Sequence, residues 1–351
     1  MSNPLIITRD ETLLDELLRL GAAAGTVPEV VPDAGAALSS WGAASVVMVG
    51  ADVATDLVRL GPPRRAGVHL IGWGSLADEV FRLAVALGAE NVAELPRSEA
   101  WVLEMLADTG DGAPGECVTI GVVGGSGGSG STTFACCLAL AAARRFPTCL
   151  IDADPQGPGV DRVLGFDRMD GVRWDSLQQT TGRISARSLR EALPRRDNLG
   201  VLTWPPGAQV SLQPFAVREA MSAAARGHEV VVLDVPRAGG PLSEELMARC
   251  TTVVLVVRAT VPGLTSAARV AAVASRSGSV GLLVRGSGAD PGRVARVVGA
   301  PVLATMADQR GLDEAVDLGL GPLRSRRSVL GRAADRVLSE VLGRRTAERA
   351  A

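Results

Sequence analysis

The sequence predicts an α/β protein made of two successive α/β domains, and three observations support this prediction. Short apolar segments alternate with amphipathic segments of helical period both before and after residue 110. The later apolar segments are continuous runs of valine, leucine and isoleucine, as in parallel strands covered by helices on both faces. Between the two regions lies ADTGDGAPGE, a small, acidic, glycine-rich segment typical of an exposed connector.

The first region is predicted to form a domain over residues 1–108, joined by a linker at 109–116. Its apolar segments predict strands at 5–8, 45–50 and 69–73. Helical periodicity predicts helices over 13–24 and 77–87. The order of these elements is an alternation of strands and helices.

The second domain is predicted over residues 117–345, with a mostly parallel sheet covered by helices on both faces. Its strands are expected at 118–123, 148–152, 199–202, 230–234, 252–257 and 281–284. Apolar residues at helical spacing between 328 and 345 predict one amphipathic terminal helix.

Composition excludes several classes of protein. The net charge of −2 gives no general reason to expect nucleic acid as the main partner. The five cysteines and two histidines lack metal-ligand spacing, so we expect buried thiols in a reducing cytoplasm. No segment resembles a signal peptide, and no apolar run approaches the roughly 20 residues that a membrane-spanning helix needs.

A glycine-rich turn joins a predicted strand to a predicted helix in VTIGVVGGSGGSGSTTFACCLALAAA. This order is the context of the phosphate-binding loop G-x-x-x-x-G-K-[ST]. Gly125 and Gly130 take its two glycine positions, and Gly127 and Gly128 let backbone N–H groups turn toward an anion. The helix that starts near Ser131 adds the positive end of its dipole.

Serine stands at the lysine position of this loop, and all 36 basic residues of the chain are arginine. A lysine there would neutralise phosphate oxygens and stabilise the charge of the transition state. Ser131 can donate only a neutral hydrogen bond, whereas Thr132 keeps the hydroxyl that the motif places on Mg²⁺. The sequence therefore predicts binding of ATP or ADP with Mg²⁺ and at most weak ATP hydrolysis.

Residues 126–133 resemble the loop K-G-G-x-G-K-T-T of the ParA/MinD superfamily of deviant Walker ATPases. Both family lysines are serine here, at Ser126 and Ser131. The family uses the first lysine to reach across a nucleotide-sandwich dimer, so its loss argues against dimer-coupled hydrolysis, although a homodimer is still allowed. The resemblance implies nucleotide contacts from Gly125, Gly127, Gly128, Gly130, Ser131, Thr132 and Thr133.

Further segments match the superfamily in order. CLIDADPQG resembles its D-x-D-P-Q-G segment, which implies that Asp152 belongs to the metal shell and that Asp154 positions an attacking water. The alternative for this pair is a solvated turn at a strand end. EVVVLDVPRAGG resembles its Walker B segment, which implies that Asp234 holds Mg²⁺ through water. The asparagine that the family places near Arg285 is absent.

The first domain resembles a flavodoxin-like response-regulator receiver without its phosphotransfer residues. Only Asp10 is available for the acidic pair, and Gly50 stands where the phosphorylated aspartate is usual, with Asp52 nearby. Leu95 precedes Pro96 where a receiver has lysine. A pseudo-receiver joined to a lysine-less ParA-like P-loop domain resembles the CpaE/TadZ group and its actinobacterial septum-site-determining relatives.

That resemblance implies a cytoplasmic localisation factor recruited to a cell pole or septal site. It would bind nucleotide and position Flp/Tad-type pilus machinery or influence division. Its expected partners are a second copy of the chain and division or pilus-assembly proteins, with at most weak or indirect membrane association. Nucleic acid is not expected as a partner.

Two alternatives stay open. The first is a slow ParA/MinD-type ATPase that cycles on DNA or membrane, with other cations replacing the lysines: Arg173, Arg183, Arg187 or Arg190. The second is a structural module that binds no nucleotide. The terminal helix could attach to a membrane or pack onto the sheet, and the arginines of RSRR could meet phosphates or form a solvated basic face.

Overall fold

A computed structural model of the chain describes residues 3–109, 117–178, 184–207, 213–237 and 239–350. The chain divides into two compact units. One comprises Met1–Glu116 with the short segment Ser185–Arg187, and the other comprises Cys117–Ile184 with Ser188–Ala351.

The first unit is built on five strands: β1 Leu5–Ile7, β2 Glu29–Val31, β3 Val47–Gly50, β4 Val68–Trp73 and β5 Asn91–Leu95. They form one parallel sheet in the order β2-β1-β3-β4-β5. This is the strand order of flavodoxin and of receiver domains. The predicted flavodoxin-like fold is confirmed, with β2 and β5 additional to the three strands predicted.

Helices cover both faces of this sheet: α1 Glu11–Ala23, α2 Ala34–Trp41, α3 Ala54–Leu60, α4 Asp78–Leu87 and α5 Glu99–Thr109. Successive residues of each strand point to opposite faces. Val47 and Val49 therefore pack with α2 and α3 in one core, and Met48 packs with α1 and α5 in the other. Asp10 starts α1 by accepting hydrogen bonds from two backbone N–H groups of its first turn.

The last helix of the first unit, α5, was not predicted from the sequence, and it reaches into the predicted connector. The segment that begins at Ala107 was predicted to be a connector, but α5 continues through Thr109. No glycine or proline interrupts the helix before Gly110, so its last turn can form. The rest of the predicted linker, 110–116, lies outside the described residues.

The second unit contains eight described strands: β6 Val118–Gly124, β7 Thr148–Asp152, β8 Arg195–Arg196, β9 Leu199–Leu202, β10 Val230–Val235, β11 Thr252–Arg258, β12 Val280–Arg285 and β13 Val302–Met306. Their order in the sheet is β13-β12-β11-β6-β10-β7-β9-β8. Every pairing is parallel except that of β8 with β9. The mostly parallel sheet predicted from the apolar runs is confirmed.

Ten helices follow β6 within the described part of the chain: α6 Ser131–Ala143, α7 Val160–Leu164, α8 Trp174–Leu177, α9 Ala186–Ala192, α10 Pro214–Gly227, α11 Pro241–Ala248, α12 Val261–Ala274, α13 Pro291–Val298, α14 Leu312–Asp317 and α15 Val329–Ala350. One core contains residues of α6, α7 and α15, and the other contains residues of α10 to α13. Val230 and Val232 belong to the first core, while Val231 and Leu233 belong to the second. The strands are therefore buried on both faces, which explains their continuous apolar sequences.

The terminal helix α15 packs against the sheet through its apolar stripe. Ala334 and Val337 are fully buried, and the stripe joins the core that includes α6. The helix extends five residues beyond the predicted end at 345. Of the RSRR arginines, Arg324, Arg326 and Arg327 are exposed, and Arg326 pairs with Asp335. Among the described helices, none is both long enough and apolar enough to cross a membrane.

Candidate functional site

The loop between β6 and α6 has one packed end and one open end. At the packed end, a Cβ added to Gly125 would lie 2.9 Å from the Cβ of Ala267 on α12. At the open end, Gly127 and Gly128 are exposed, and no atom lies within 4 Å of a Cβ added to either. Gly128 and Gly130 have φ of +67° and +89°, which glycine adopts at little cost. The predicted loop glycines thus shape a turn that is open to solvent.

Helix α6 begins at this loop without a side-chain cap. Its N-cap is Gly130, and no side chain accepts a hydrogen bond from its first turn. Among the described residues, four helices have such a cap (α1, α2, α12 and α13), and seven others lack one as α6 does. Ser131, Thr132 and Thr133 form the first turn and are each partly exposed. The N–H groups and positive dipole end of α6 are therefore free to meet an anion.

Asp234 lies beside this helix start, near the end of β10. Its register partners are Val122 on β6 and Asp152 on β7, so it stands on β10 between these two strands. The Asp234 Oδ2 atom is buried and has no hydrogen-bond partner among the described residues. Burial raises the pKa of Asp234 to about 7, and the neighbouring Thr132 side chain, which favours the charged form, opposes that rise.

Asp152 ends β7 and is held by the chain that follows it. Its Oδ1 accepts a hydrogen bond from the Asp154 N–H at 3.1 Å. Its Oδ2 accepts from the Val160 N–H at 3.2 Å and from the Thr203 hydroxyl at 3.0 Å. Burial raises the pKa of Asp152 to about 6, although these three hydrogen bonds favour the charged form. The carboxylate shapes the turn after β7 and still lies next to Asp234.

Asp154 is more accessible than the other two aspartates. It is half-buried, and its Oδ1 accepts a hydrogen bond from the Gln156 N–H at 3.0 Å. Its backbone carbonyl accepts from the Gly157 N–H at 3.0 Å. The D-x-D-P-Q-G segment thus folds into a tight turn beyond the end of β7, with Asp152 inside and Asp154 at the surface.

These oxygens match the needs of Mg²⁺ better than those of a metal held by protein alone. Within the described ranges, no three His, Cys, Asp or Glu side chains converge on one point. Mg²⁺ is commonly held by one or two carboxylates, with phosphates and water completing the shell. Asp234 has an unpartnered buried oxygen and Thr132 a neighbouring hydroxyl, so the donor set fits Mg²⁺ that is shared with a nucleotide.

The cysteines take no part in this site. None forms a disulfide, and Cys117 alone is only half-buried. Burial raises the pKa of the Cys149 thiol well above its ordinary value, which keeps it neutral. The described thiols therefore behave as small apolar groups, in line with their lack of ligand spacing.

Of the arginines considered as lysine replacements, Arg173 is paired outside the glycine loop. Arg173 pairs with Asp161 at 3.3 Å, and both side chains are largely buried. Arg187 and Arg190 belong to α9, and Arg183 lies outside the described residues. Among the contacts of the described residues, none joins Arg173 or Arg190 to the glycine loop.

A different arginine contacts the loop, and the sequence did not identify it. Arg285 ends β12, and its Nη1 donates a hydrogen bond to the Ser129 carbonyl at 3.2 Å. Its Nε donates to Asp308 Oδ1 at 2.5 Å. The contact spans 156 residues of sequence, so spacing gives no signal for it. The order of strands in the sheet is what brings β12 to this loop.

In the first unit, the position of the receiver's phosphorylated aspartate is filled. A Cβ added to Gly50 would lie 2.2 Å from Asp52 Oδ1 and 2.6 Å from the Thr8 hydroxyl oxygen. Asp52 accepts hydrogen bonds from the Thr8 hydroxyl at 2.7 Å and from the Arg9 N–H at 2.8 Å. Both oxygens of Asp52 therefore have partners, and its carboxylate occupies the space beside Gly50.

Comparison with solved structures places the second unit among known folds. It covers 98% of a ParA family ATPase from Chlorobium tepidum TLS, with a TM-score of 0.56 and 14% identity over 64% of this chain. It covers 96% of the septum site-determining protein MinD from Pyrococcus horikoshii OT3, solved with Mg-ADP, with a TM-score of 0.53 and 20% identity. These likenesses show that the P-loop domain has the ParA/MinD fold.

Comparison of sequences covers both units. Residues 7–116 match the family model described as the Rv3660c-like, CheY-like N-terminal domain. Rv3660c of Mycobacterium tuberculosis H37Rv and MT3760 of strain CDC 1551 are each 35% identical over 340 residues, which is 94% of this chain and 95% of theirs. The CheY-like domain followed by a domain of the ParA/MinD fold is thus confirmed, and the chain belongs to the Rv3660c-like family.

Proposed function

We propose that this protein is a nucleotide-binding localisation factor that binds ATP or ADP with Mg²⁺ and hydrolyses ATP weakly or not at all. In this role it positions septum or Flp/Tad-type pilus machinery. One observation carries the proposal: the start of helix α6 has no side-chain cap, and it lies beside the buried carboxylate of Asp234, whose Oδ2 has no hydrogen-bond partner among the described residues.

The phosphate contacts come from the loop and the first turn of α6. Backbone N–H groups of this turn need acceptors, and phosphate oxygens supply them. The open loop end lets phosphates approach without a steric barrier from side chains. We assign the nucleotide contacts to Gly127, Gly128, Gly130, Ser131, Thr132 and Thr133. Gly125, which the motif also includes, shapes the packed end of the loop, because its N–H donates to the Val256 carbonyl at 2.9 Å.

We assign the metal contacts to three side chains with different roles: Thr132, Asp234 and Asp152. The Thr132 side chain neighbours the Asp234 carboxylate, and both have oxygen available for Mg²⁺. Asp152 already accepts three hydrogen bonds. We therefore assign Asp152 to a water-mediated contact in which its negative charge attracts the metal. Bound Mg²⁺ would neutralise phosphate charge, and it would keep Asp234 ionised at neutral pH.

Weak hydrolysis follows from the missing lysine. Stabilising the charge of the phosphoryl-transfer transition state is the main task of such a site. Ser131 offers a neutral donor there, and the chain has no lysine to replace it. Asp154, at the surface of the turn after β7, is the residue that would orient an attacking water. Because hydrolysis is weak, bound ATP would persist, and the nucleotide-bound state would last long enough to hold the protein at one cellular site.

Partner binding is the second half of the proposal. Nucleotide binding would favour a homodimer or the docking of a division or pilus-assembly protein, and recruitment from the cytoplasm to a pole or septum would depend on it. The apolar stripe of α15 is used inside the second unit. We therefore propose that any membrane association is indirect, through the partner.

Binding and turnover assays on the same preparations test the nucleotide half of the proposal. We expect wild-type protein to bind Mg-ATP and Mg-ADP and to release phosphate weakly or not at all, whereas Ser131→Lys gains release. If the wild type releases phosphate as fast as Ser131→Lys and Asp154→Ala abolishes that release, the ATPase hypothesis replaces this proposal. If nothing binds, the loop is a structural turn.

Imaging tests the localisation half. A fluorescent fusion of the wild type should form polar or septal foci. Asp234→Ala should be diffuse, because it removes the buried carboxylate from the proposed metal site. Glu340→Ala, at an exposed position of α15, is the matched control and should keep the foci. Foci that persist in Asp234→Ala would contradict nucleotide-dependent recruitment.

A further inference from the structure

Arg285 brings positive charge to a phosphate loop that has no lysine. Its side chain is 28% exposed, and the Asp308 side chain that pairs with it is 69% exposed. A Cβ added to Gly130 would lie 3.0 Å from Arg285 Nη1. The guanidinium group therefore lies against the second glycine of the loop, at the N-cap of α6.

The hydrogen bond from Arg285 to the Ser129 carbonyl fixes one peptide group of the loop. In a trans peptide the C=O of one residue and the N–H of the next point in opposite directions. With the Ser129 carbonyl turned toward Arg285, the Gly130 N–H points to the other side of the peptide. Rotation of this peptide would exchange an N–H for a C=O on that side, and a carbonyl there would repel phosphate.

The charge acts together with this hydrogen bond. The guanidinium is always protonated and is partly shielded from water, so its attraction for an anion at the loop is stronger than that of a fully exposed group. Asp308 offsets part of that charge through an ion pair in which the carboxylate side chain is mostly exposed. Water screens that carboxylate and weakens the pair, so an arriving phosphate can compete with Asp308.

We propose that Arg285 is the positioning residue of this lysine-less loop: it orients the Ser129–Gly130 peptide, supplies the missing positive charge to nucleotide phosphates, and is restrained by Asp308. This inference rests on the proposed nucleotide site. It assigns to the end of β12 a role that the loop lysine would otherwise have. The affinity for nucleotide therefore depends on Arg285, a residue outside the loop motif.

Equilibrium titrations with Mg-ADP and with inorganic pyrophosphate test the proposal. Arg285→Met removes both charge and donor, and we expect it to weaken both ligands about ten- to a hundredfold, the range of a charged hydrogen bond. Arg285→Lys keeps the charge and a donor and should restore most of the affinity. Asp308→Asn should tighten binding about two- to fivefold, the range of an exposed ion pair.

The control is Arg249→Gln, which makes the same change of charge. Arg249 directly follows α11 and precedes β11, so it lies at the opposite edge of the sheet, and it pairs only with Glu245 among the described residues. The Arg249→Gln variant should bind Mg-ADP and pyrophosphate with the affinities of the wild type. If Arg285→Met fails to fold, Arg285→Lys and Asp308→Asn still carry the test.

Three results would overturn the inference. Unchanged pyrophosphate affinity with weaker ADP affinity in Arg285→Met would mean that Arg285 acts on the base or ribose. Unchanged affinity for both ligands, or weaker binding in Asp308→Asn, would mean that Arg285 only supports the fold. If the wild type itself binds neither ligand, the proposed nucleotide site fails, and this inference fails with it.

Discussion

Replacement of Asp234 by asparagine should change how the stability of the second unit depends on pH. Burial raises the pKa of Asp234 from an ordinary 3.8 to about 7. A carboxyl group with a raised pKa in the folded state binds its proton more tightly there than in the unfolded chain. Its contribution to stability therefore falls as pH rises from about 4 to about 7, and is constant above that range.

The magnitude follows from the shift. A change of about three pKa units corresponds to about 4 kcal/mol, at about 1.4 kcal/mol per unit. The amide of the Asp234→Asn variant cannot ionise. Without Mg²⁺ and nucleotide, this variant should therefore gain about 3 kcal/mol relative to wild type between roughly pH 4.5 and pH 8, because part of the titration lies below that range. A pH-independent offset from the altered hydrogen bonding of the amide will add to this difference.

Urea unfolding read by hydrogen exchange and mass spectrometry is the suitable assay, because peptides from residues 117–344 report the second unit separately from the first. At pH 8, saturating Mg-ADP should make the wild type more stable than Asp234→Asn, since a ligand stabilises only the form that binds it. If the difference between wild type and variant were the same at every pH, Asp234 would be ionised in the folded protein throughout this range, and its pKa would not be raised.

Three further substitutions test other parts of the structure. Gly50→Ala forces a Cβ to within 2.2 Å of a carboxylate oxygen and should cost about 1–3 kcal/mol in urea unfolding, whereas Gly42→Ala, with open space, should cost little. Burial lowers the pKa of His228 to about 4, so the imidazole is neutral in the folded state, and the stability that it contributes is lost as pH falls from about 6.5 to about 4. In His228→Gln, the drop in unfolding free energy between pH 7 and pH 4.5 should be smaller than in wild type by up to about 3 kcal/mol. Val337→Asp buries a charge in the core under α15 and should lower stability by more than about 3 kcal/mol, while Ser339→Asp on the exposed face should not; equal effects would contradict the packing of α15 on the sheet.

The sequence was most informative where local pattern and structure coincide. The glycine loop between β6 and α6 could be predicted because a strand, a turn that needs positive φ and an apolar helix leave separate marks in the sequence. The core strands of the second unit were predictable for the same reason, since burial on both faces gives continuous apolar runs. Asn91–Leu95 was missed because it mixes polar and apolar residues.

The side-chain contacts of the candidate site could not be predicted in this way. Asp152 bonds Thr203, 51 residues away, and Arg285 reaches Ser129 across 156 residues. These contacts depend on which strands become neighbours, and no periodicity encodes that choice. The unpartnered oxygen of Asp234 likewise results from burial between β6 and β7. Motif matching named Asp152 and Asp234 alike, but the structure gives them different hydrogen bonding.

We propose that this loop binds nucleotide with Mg²⁺ in spite of its missing lysine. An equilibrium titration of the purified full chain with a fluorescent ADP analogue, with Mg²⁺ and with EDTA, for wild type and Asp234→Ala tests this proposal. We expect saturable binding of one nucleotide per chain that needs Mg²⁺ and is lost in the variant. Absence of binding by the wild type, or binding that is indifferent to both Mg²⁺ and Asp234, would contradict it.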